Sequence, residues 1–315
     1  MKKIEKNHDF IFPKVKNDGR IVGRKTYGKV LIILRICNKG GRKMKLLVKG
    51  DDYGITKSVT YGIIEAFDHG ILTSSGMFTN MEIAPWAAQF VKERETCCFG
   101  IDFNLVCGPC VSDYREIPHL VDENGRFISS KIRVNDPKWA TKEGQNELLP
   151  FHEVYKEIAA QYQRFVDLCG RAPAYLCGHS IQTGSMEEAY RTLSAETGVP
   201  FCDDLYKKYN IIDFRDAPIK NDELMNLSTR GKEFHAMEQL NRDPMKLFFD
   251  NLEYLKGFEY VALVCHPGFV DADLLKLSSC SLERMRDLEF YLSTEMKDFI
   301  LENGIELISF SDLTA

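Results

Sequence analysis

Two adjacent carboxylates, Asp51 and Asp52, stand in the segment Leu46-Leu-Val-Lys-Gly-Asp-Asp-Tyr-Gly. Such a pair can divide the work of a hydrolysis, one holding a metal ion and the other taking the proton from an attacking water. The same two residues could instead form a turn with an Asx cap on the next helix. Asp102 interrupts the mainly apolar stretch 99–106. It is therefore expected to be buried and to need a partner, which could be a metal ion, an arginine or a backbone N–H. His179 follows a short apolar run and His266 precedes Pro267-Gly268. Histidine suits ligation and proton transfer near neutral pH, but either residue could simply hydrogen-bond or begin a turn. His8, His69, His119, His152 and His235 fall on surface-like loops or helices and take no role.

The elements that must bring these residues together alternate between strand and helix. Residues 46–49 read as a buried strand running into the aspartate pair. A helix is expected over 58–69, a strand over 71–78, a helix over 85–95 and a strand over 98–106. A long loop rich in Gly, Pro and Asp extends to about Pro150. Phe151, Val154, Tyr155, Ile158, Ala159, Tyr162, Phe165 and Val166 then follow helical spacing, and Gly170 stops that helix. A strand over 174–177, a helix over 185–197, a short strand over 199–202 and a strand over 260–265 come next. A last helix over 282–302 and a strand over 305–310 close the chain. Strands alternating with helices imply a parallel sheet covered on both faces. In a closed barrel of this kind the C-terminal strand ends share one mouth, so Asp51, Asp52, His179 and His266 could meet there. Asp102 would have to reach that mouth from within its own strand.

Composition narrows the class. The 315 residues are 44% hydrophobic and 28% charged, close to globular averages. No apolar run approaches the roughly 20 residues of a membrane helix. The net charge of −5 argues against a nucleic-acid partner. Ten cysteines are scattered without a framework, as expected of reduced thiols in a cytoplasmic protein. Cys107-Gly-Pro-Cys110 has C-x-x-C spacing, but no second pair completes a zinc ribbon. It follows a strand rather than opening a helix, which argues against redox chemistry. Residues 1–43 carry thirteen Lys and Arg against three Asp and Glu, whereas the rest carry 28 against 43. Gly40-Gly41 can be encoded GGAGG, at ribosome-binding distance from Met44. Residues 1–43 are therefore expected to be an upstream extension or misplaced start, with the working domain spanning 44–315; a genuine basic arm is the alternative.

Several segments taken together resemble the YdjC-like family of carbohydrate deacetylases, the chitooligosaccharide deacetylase group. They include Leu46-Leu-Val-Lys-Gly-Asp-Asp-Tyr-Gly-Ile, Tyr61-Gly-Ile-Ile-Glu-Ala and His69-Gly-Ile-Leu-Thr-Ser-Ser. Others are Gln161-Tyr-Gln-Arg-Phe, Glu196-Thr-Gly-Val-Pro, Val264-Cys-His-Pro-Gly-Phe-Val-Asp and Gly304-Ile-Glu-Leu-Ile-Ser-Phe-Ser-Asp-Leu. The resemblance implies a single α/β domain, a distorted parallel β/α barrel of about seven strands. It also implies a cytoplasmic hydrolase that uses a divalent metal to remove an N-acetyl group from an amino sugar or short oligosaccharide, with homodimer formation left open. On this resemblance Asp51 is the general base, His266 the general acid, and Asp52, Asp102 and His179 the metal ligands. The family has a histidine where this chain has Asp102. Tyr175, Cys177, Ile181 and Thr183 stand at positions that are usually His, Asp, His and His. Carboxylate in place of imidazole favours Mg²⁺, with Mn²⁺ or Zn²⁺ as alternatives, and a higher pH optimum. Two other functions fit the same residues: a sugar-binding protein without turnover, and a phosphoesterase.

Overall fold

The apolar runs 46–48 and 261–265 lie side by side at the centre of one parallel sheet. The computed structural model describes residues 43–219 and 236–314. Its strands are β1 (Lys45–Tyr53), β2 (Ser74–Met77), β3 (Cys98–Phe103), β4 (Leu176–Gly178), β5 (Ile212–Asp213), β6 (Tyr260–Cys265) and β7 (Glu306–Ile308). The order is β4-β3-β2-β1-β6-β5, with β7 paired to the first residues of β1. All pairings are parallel, and the sheet curls into a half-barrel, as the distorted barrel requires. Continuous burial of Val261, Ala262, Leu263, Val264 and Cys265 is what a parallel strand covered on both faces shows.

The crossover helices form where the spacing places an apolar stripe. Helix Lys57–His69 buries Val59, Ile63, Ile64 and Ala66, and the Thr56 side chain caps it by accepting from the Val59 N–H. Helix Phe151–Cys169 ends at Gly170, whose φ of 73° is the left-handed stop that glycine adopts without strain. No described helix is long and apolar enough to cross a membrane.

Three expectations are corrected. The strand over 199–202 is only an isolated bridge from Phe201 to Leu176, because Cys202 already opens the helix Cys202–Tyr209. The helix over 282–302 is two, Glu283–Leu292 and Thr294–Glu302, since the Ser293 side chain caps the second by accepting from the Met296 N–H. The long loop before Pro150 contains the short helices Ser130–Val134 and Lys142–Leu148. The core also begins earlier than Leu46, at buried Met44. The reading of residues 1–43 falls, but for Lys43, outside the described residues.

Candidate active site

The end of β1 is where the aspartate pair leaves the regular strand. The β1–β2 register breaks between Gly50 and Tyr53, and Asp52 has φ 69°, in the left-handed region. Aspartate tolerates that conformation better than most residues, and the irregularity re-aims consecutive side chains that would otherwise alternate. Both carboxylates therefore reach one cavity of about 930 Å³, lined also by Asp102, His179, His266 and Arg215. All five residues singled out from the sequence line this cavity.

Two buried cations serve the three carboxylates. Asp52 is fully buried, with Oδ2 accepting from the Arg284 guanidinium at 2.5 Å and Oδ1 lying 2.9 Å from His179 Nδ1. Burial would raise its pKa, but His179 and Arg284 outweigh that and hold it well below the ordinary carboxylate range. Asp102 is also buried, as expected. Its Oδ1 accepts from Lys49 Nζ at 2.9 Å and its Oδ2 from the Asp52 N–H at 3.3 Å. Burial pushes the Asp102 carboxyl up to about 6 against the pull of Lys49. Lys49 also donates to Asp51. Burial works against the ammonium, yet Asp102 and Asp51 prevail and keep it charged.

Lys49 is the residue that sequence reasoning passed over. It lies within the quoted motif, in the middle of a buried strand, two residues before Asp51. Residues two apart share one face of a strand, so a buried lysine there implies an acid on the same face. Arg284 pairs with Asp52, and it is Lys49 that pairs with Asp102.

His266 approaches the aspartate pair at Asp51, its Nε2 3.8 Å from Oδ2. Its backbone N–H donates to Asp287 Oδ2 at 2.8 Å, and Asp287 Oδ1 lies 3.1 Å from buried Arg242. Burial lowers the His266 pKa to about 4, against the opposing pull of Asp52 and Asp51. An unfolded chain takes up this proton near pH 6.5. The folded protein does so only near pH 4, so folding loses stability as pH falls through that window. The stability advantage of the native protein over His266→Gln should shrink between pH 7 and pH 4.5 by on the order of 2 kcal/mol. Urea unfolding of both proteins at the two pH values measures it; an unchanged difference would mean that the ring is as well solvated folded as unfolded.

Burial pushes the Cys107 thiol up to about 12 and the Cys110 thiol up to about 11, suppressing the thiolates that exchange requires.

The divalent ion implied by the resemblance can be tested against the donors present. Asp52 and His179 face each other as two ligands would. The third position does not follow: Asp102 is turned to Lys49 and to the Asp52 N–H. Among the described residues no three His, Cys, Asp or Glu side chains form a group that could hold a metal ion. Both acidic ligands already accept from cations of the chain, so this donor set does not fit a divalent metal.

Comparison with known proteins covers the described domain almost entirely. The family model described as YdjC-like protein matches residues 45–302. A Listeria innocua protein named carbohydrate deacetylase 2 is 30% identical, over 86% of this chain and 99% of its own. A Clostridium beijerinckii protein named carbohydrate deacetylase is 27% identical, over 86% of this chain and all of its own. A Salmonella paratyphi B chitooligosaccharide deacetylase is 29% identical, over 85% and 98%. A crystal structure from Enterococcus faecalis V583, provisionally described as a cellobiose-phosphate cleavage protein, has the same fold. Its TM-score is 0.65 at 22% identity, over 86% of this chain and 99% of that one.

Proposed function

Because the chain belongs to the YdjC-like family, we propose that it is a carbohydrate deacetylase that releases acetate from an N-acetylated amino sugar or short oligosaccharide. The observation that carries this reading is the meeting of Asp51 and His266 at one cavity, in a chain that matches deacetylases along nearly their whole length. The cavity, about 930 Å³, is roomy enough for more than a single sugar.

An amide resists water because its carbonyl is a weak electrophile and water a weak nucleophile. In the proposed reaction Asp51 takes a proton from a water as the water oxygen bonds to the acetyl carbon. Asp51 is partly exposed in the cavity wall, and the donation from Lys49 to its Oδ1 fixes the direction of its carboxylate. The carbon–nitrogen bond then breaks as the nitrogen receives a proton through His266, leaving acetate and a free amine. A histidine that is neutral at pH 7 can accept the proton from Asp51 before donating it. Arg284 holds Asp52, and Asp52 in turn orients the His179 ring through Nδ1. His179 and Arg215, the latter ion-paired with Asp213 at 2.7 Å, are among the cavity-wall groups that can meet charge on the carbonyl oxygen.

One observation favours a second reading, sugar binding without turnover: Lys49 neutralises the Asp102 carboxylate that a metal-using site would need. Acetate release from a panel of N-acetylated mono- and oligosaccharides, run beside direct binding to the same panel, separates the two. Acetate production that is lost in Asp51→Asn is the expected result. Binding with no acetate from any sugar would overturn the deacetylase reading in favour of the second.

A further inference from the structure

We propose that the ammonium of Lys49 is the resident cation of this site: it takes the place of a divalent metal between the carboxylates, and the chain binds no divalent ion there. The inference holds whichever reaction the cavity performs.

The ammonium is completely enclosed. Lys49 is 3% exposed, and its Nζ has three acceptors, Asp102 Oδ1 at 2.9 Å, Cys177 Sγ at 3.5 Å and Asp51. A lysine has three N–H donors, so none is left over. The Tyr175 ring, 5.7 Å away, adds its face to the same pocket. The space is built for this pair: a Cβ on Gly76 of the neighbouring strand would lie 2.0 Å from Asp102 Oδ1, so only glycine leaves room for the carboxylate. Asp102 is thus seated by its strand neighbour, by Lys49 and by the Asp52 N–H together.

Most of the donors a metal would need are spoken for. Lys49 and the Asp52 N–H take the two oxygens of Asp102, and Arg284 and His179 face the two oxygens of Asp52. Three carboxylates here meet two buried monovalent cations, which leaves a small negative balance. A divalent ion would reverse that balance and would have to lie close to an ammonium that cannot retreat into solvent. Like charges at such range in a poorly solvated site repel strongly. Carboxylates also bind metal only when their oxygens are free to coordinate, and here both oxygens of Asp102 and Oδ2 of Asp52 would first have to give up a charged or backbone donor, which leaves Asp52 Oδ1, facing His179, as the one buried oxygen of the pair without a hydrogen bond.

The test is metal retention by the full chain, with the fold checked by circular dichroism. The protein is incubated with excess Zn²⁺ or Mn²⁺, desalted, and its metal content measured, beside Asp52→Asn and the double variant Lys49→Asn/Asp102→His. The wild type should retain no more metal than Asp52→Asn, whose bound ions must lie elsewhere. The double variant removes the ammonium and supplies an imidazole beside Asp52 and His179. It should gain about one equivalent of Zn²⁺, with affinity raised at least 100-fold. One equivalent held by the wild type and lost in Asp52→Asn would overturn the proposal. So would a folded double variant that gains no zinc, since Lys49 would then not be what keeps metal out. Should the double variant fail to fold, thermal melting of the wild type with and without Zn²⁺ or Mn²⁺ still decides. A ligand that binds only the native state raises the melting temperature. No rise beyond that of Asp52→Asn is expected, and a rise specific to the wild type would refute the assignment. Neither readout depends on acetate release, so failure of the deacetylase reading and failure of this one remain distinct.

Discussion

Asp51→Asn should lower deacetylase turnover about 100-fold or more while leaving the fold intact, the usual scale for loss of a general base. Such a loss corresponds to about 2.7 kcal/mol of transition-state stabilisation. The amide keeps the size and one acceptor of the carboxylate, but it cannot take a proton from water. The fold should survive for reasons visible in the structure. Asp51 is the most solvated of the three aspartates, with 17% of its side chain exposed. Lys49 would lose one acceptor and keep both Asp102 and Cys177. His266→Ala should act in the same direction by removing the group that carries the proton to the leaving nitrogen. Steady-state acetate release and a thermal melt on each variant check both halves of the expectation. Turnover of Asp51→Asn at the wild-type rate would mean that another group activates the water.

Arg284→Met should destabilise the protein by about 3–5 kcal/mol, the scale for removing one partner of a buried ion pair. Arg284 is fully buried and reaches across 232 positions of sequence to Asp52, itself 1% exposed. Burial opposes ionisation of that aspartate, and His179 and Arg284 are the groups that hold it ionised. Without the guanidinium, a carboxylate faced only by His179 remains in a place water does not reach. Adding Asp52→Asn to Arg284→Met should recover much of the loss, because the stranded charge is then gone. The two changes should therefore be far from additive, as expected for residues in direct contact. Urea unfolding of the single and double variants measures this. A cost below about 1 kcal/mol for Arg284→Met would show that Asp52 finds another partner.

What the sequence discloses depends on how local the cause is. The strand Tyr260–Cys265 is read to the residue, because an uninterrupted apolar run bounded by a glycine-containing turn has few other uses. The helix Phe151–Cys169 is read almost as well, from its stripe and its glycine stop. The short strand over 199–202 is not, since its residues carry β-propensity while a hidden helix start at Cys202 decides the outcome. The site divides in the same way. That Asp102 is buried and needs a partner follows from its apolar neighbours alone. That the partner is Lys49 does not, because β1 and β3 are brought together only by the sheet order, with β2 between them. The pairing of Arg284 with Asp52 is likewise a product of tertiary closure.

The Lys49–Asp102 pair also constrains how this chain could have arisen and where it can drift. Exchanging Lys49 alone strands the Asp102 carboxylate in the interior, and exchanging Asp102 alone leaves the ammonium with Asp51 as its one carboxylate partner. A lineage moving between an imidazole and a carboxylate at position 102 is therefore expected to change position 49 in close succession. Gly76 has no such freedom while Asp102 remains, since even an alanine methyl would occupy the space of the carboxylate. Positions 49, 76 and 102 lie on three adjacent strands and are expected to change together. Among relatives, a neutral residue at 49 should accompany histidine at 102, and lysine at 49 should accompany aspartate at 102 with glycine at 76.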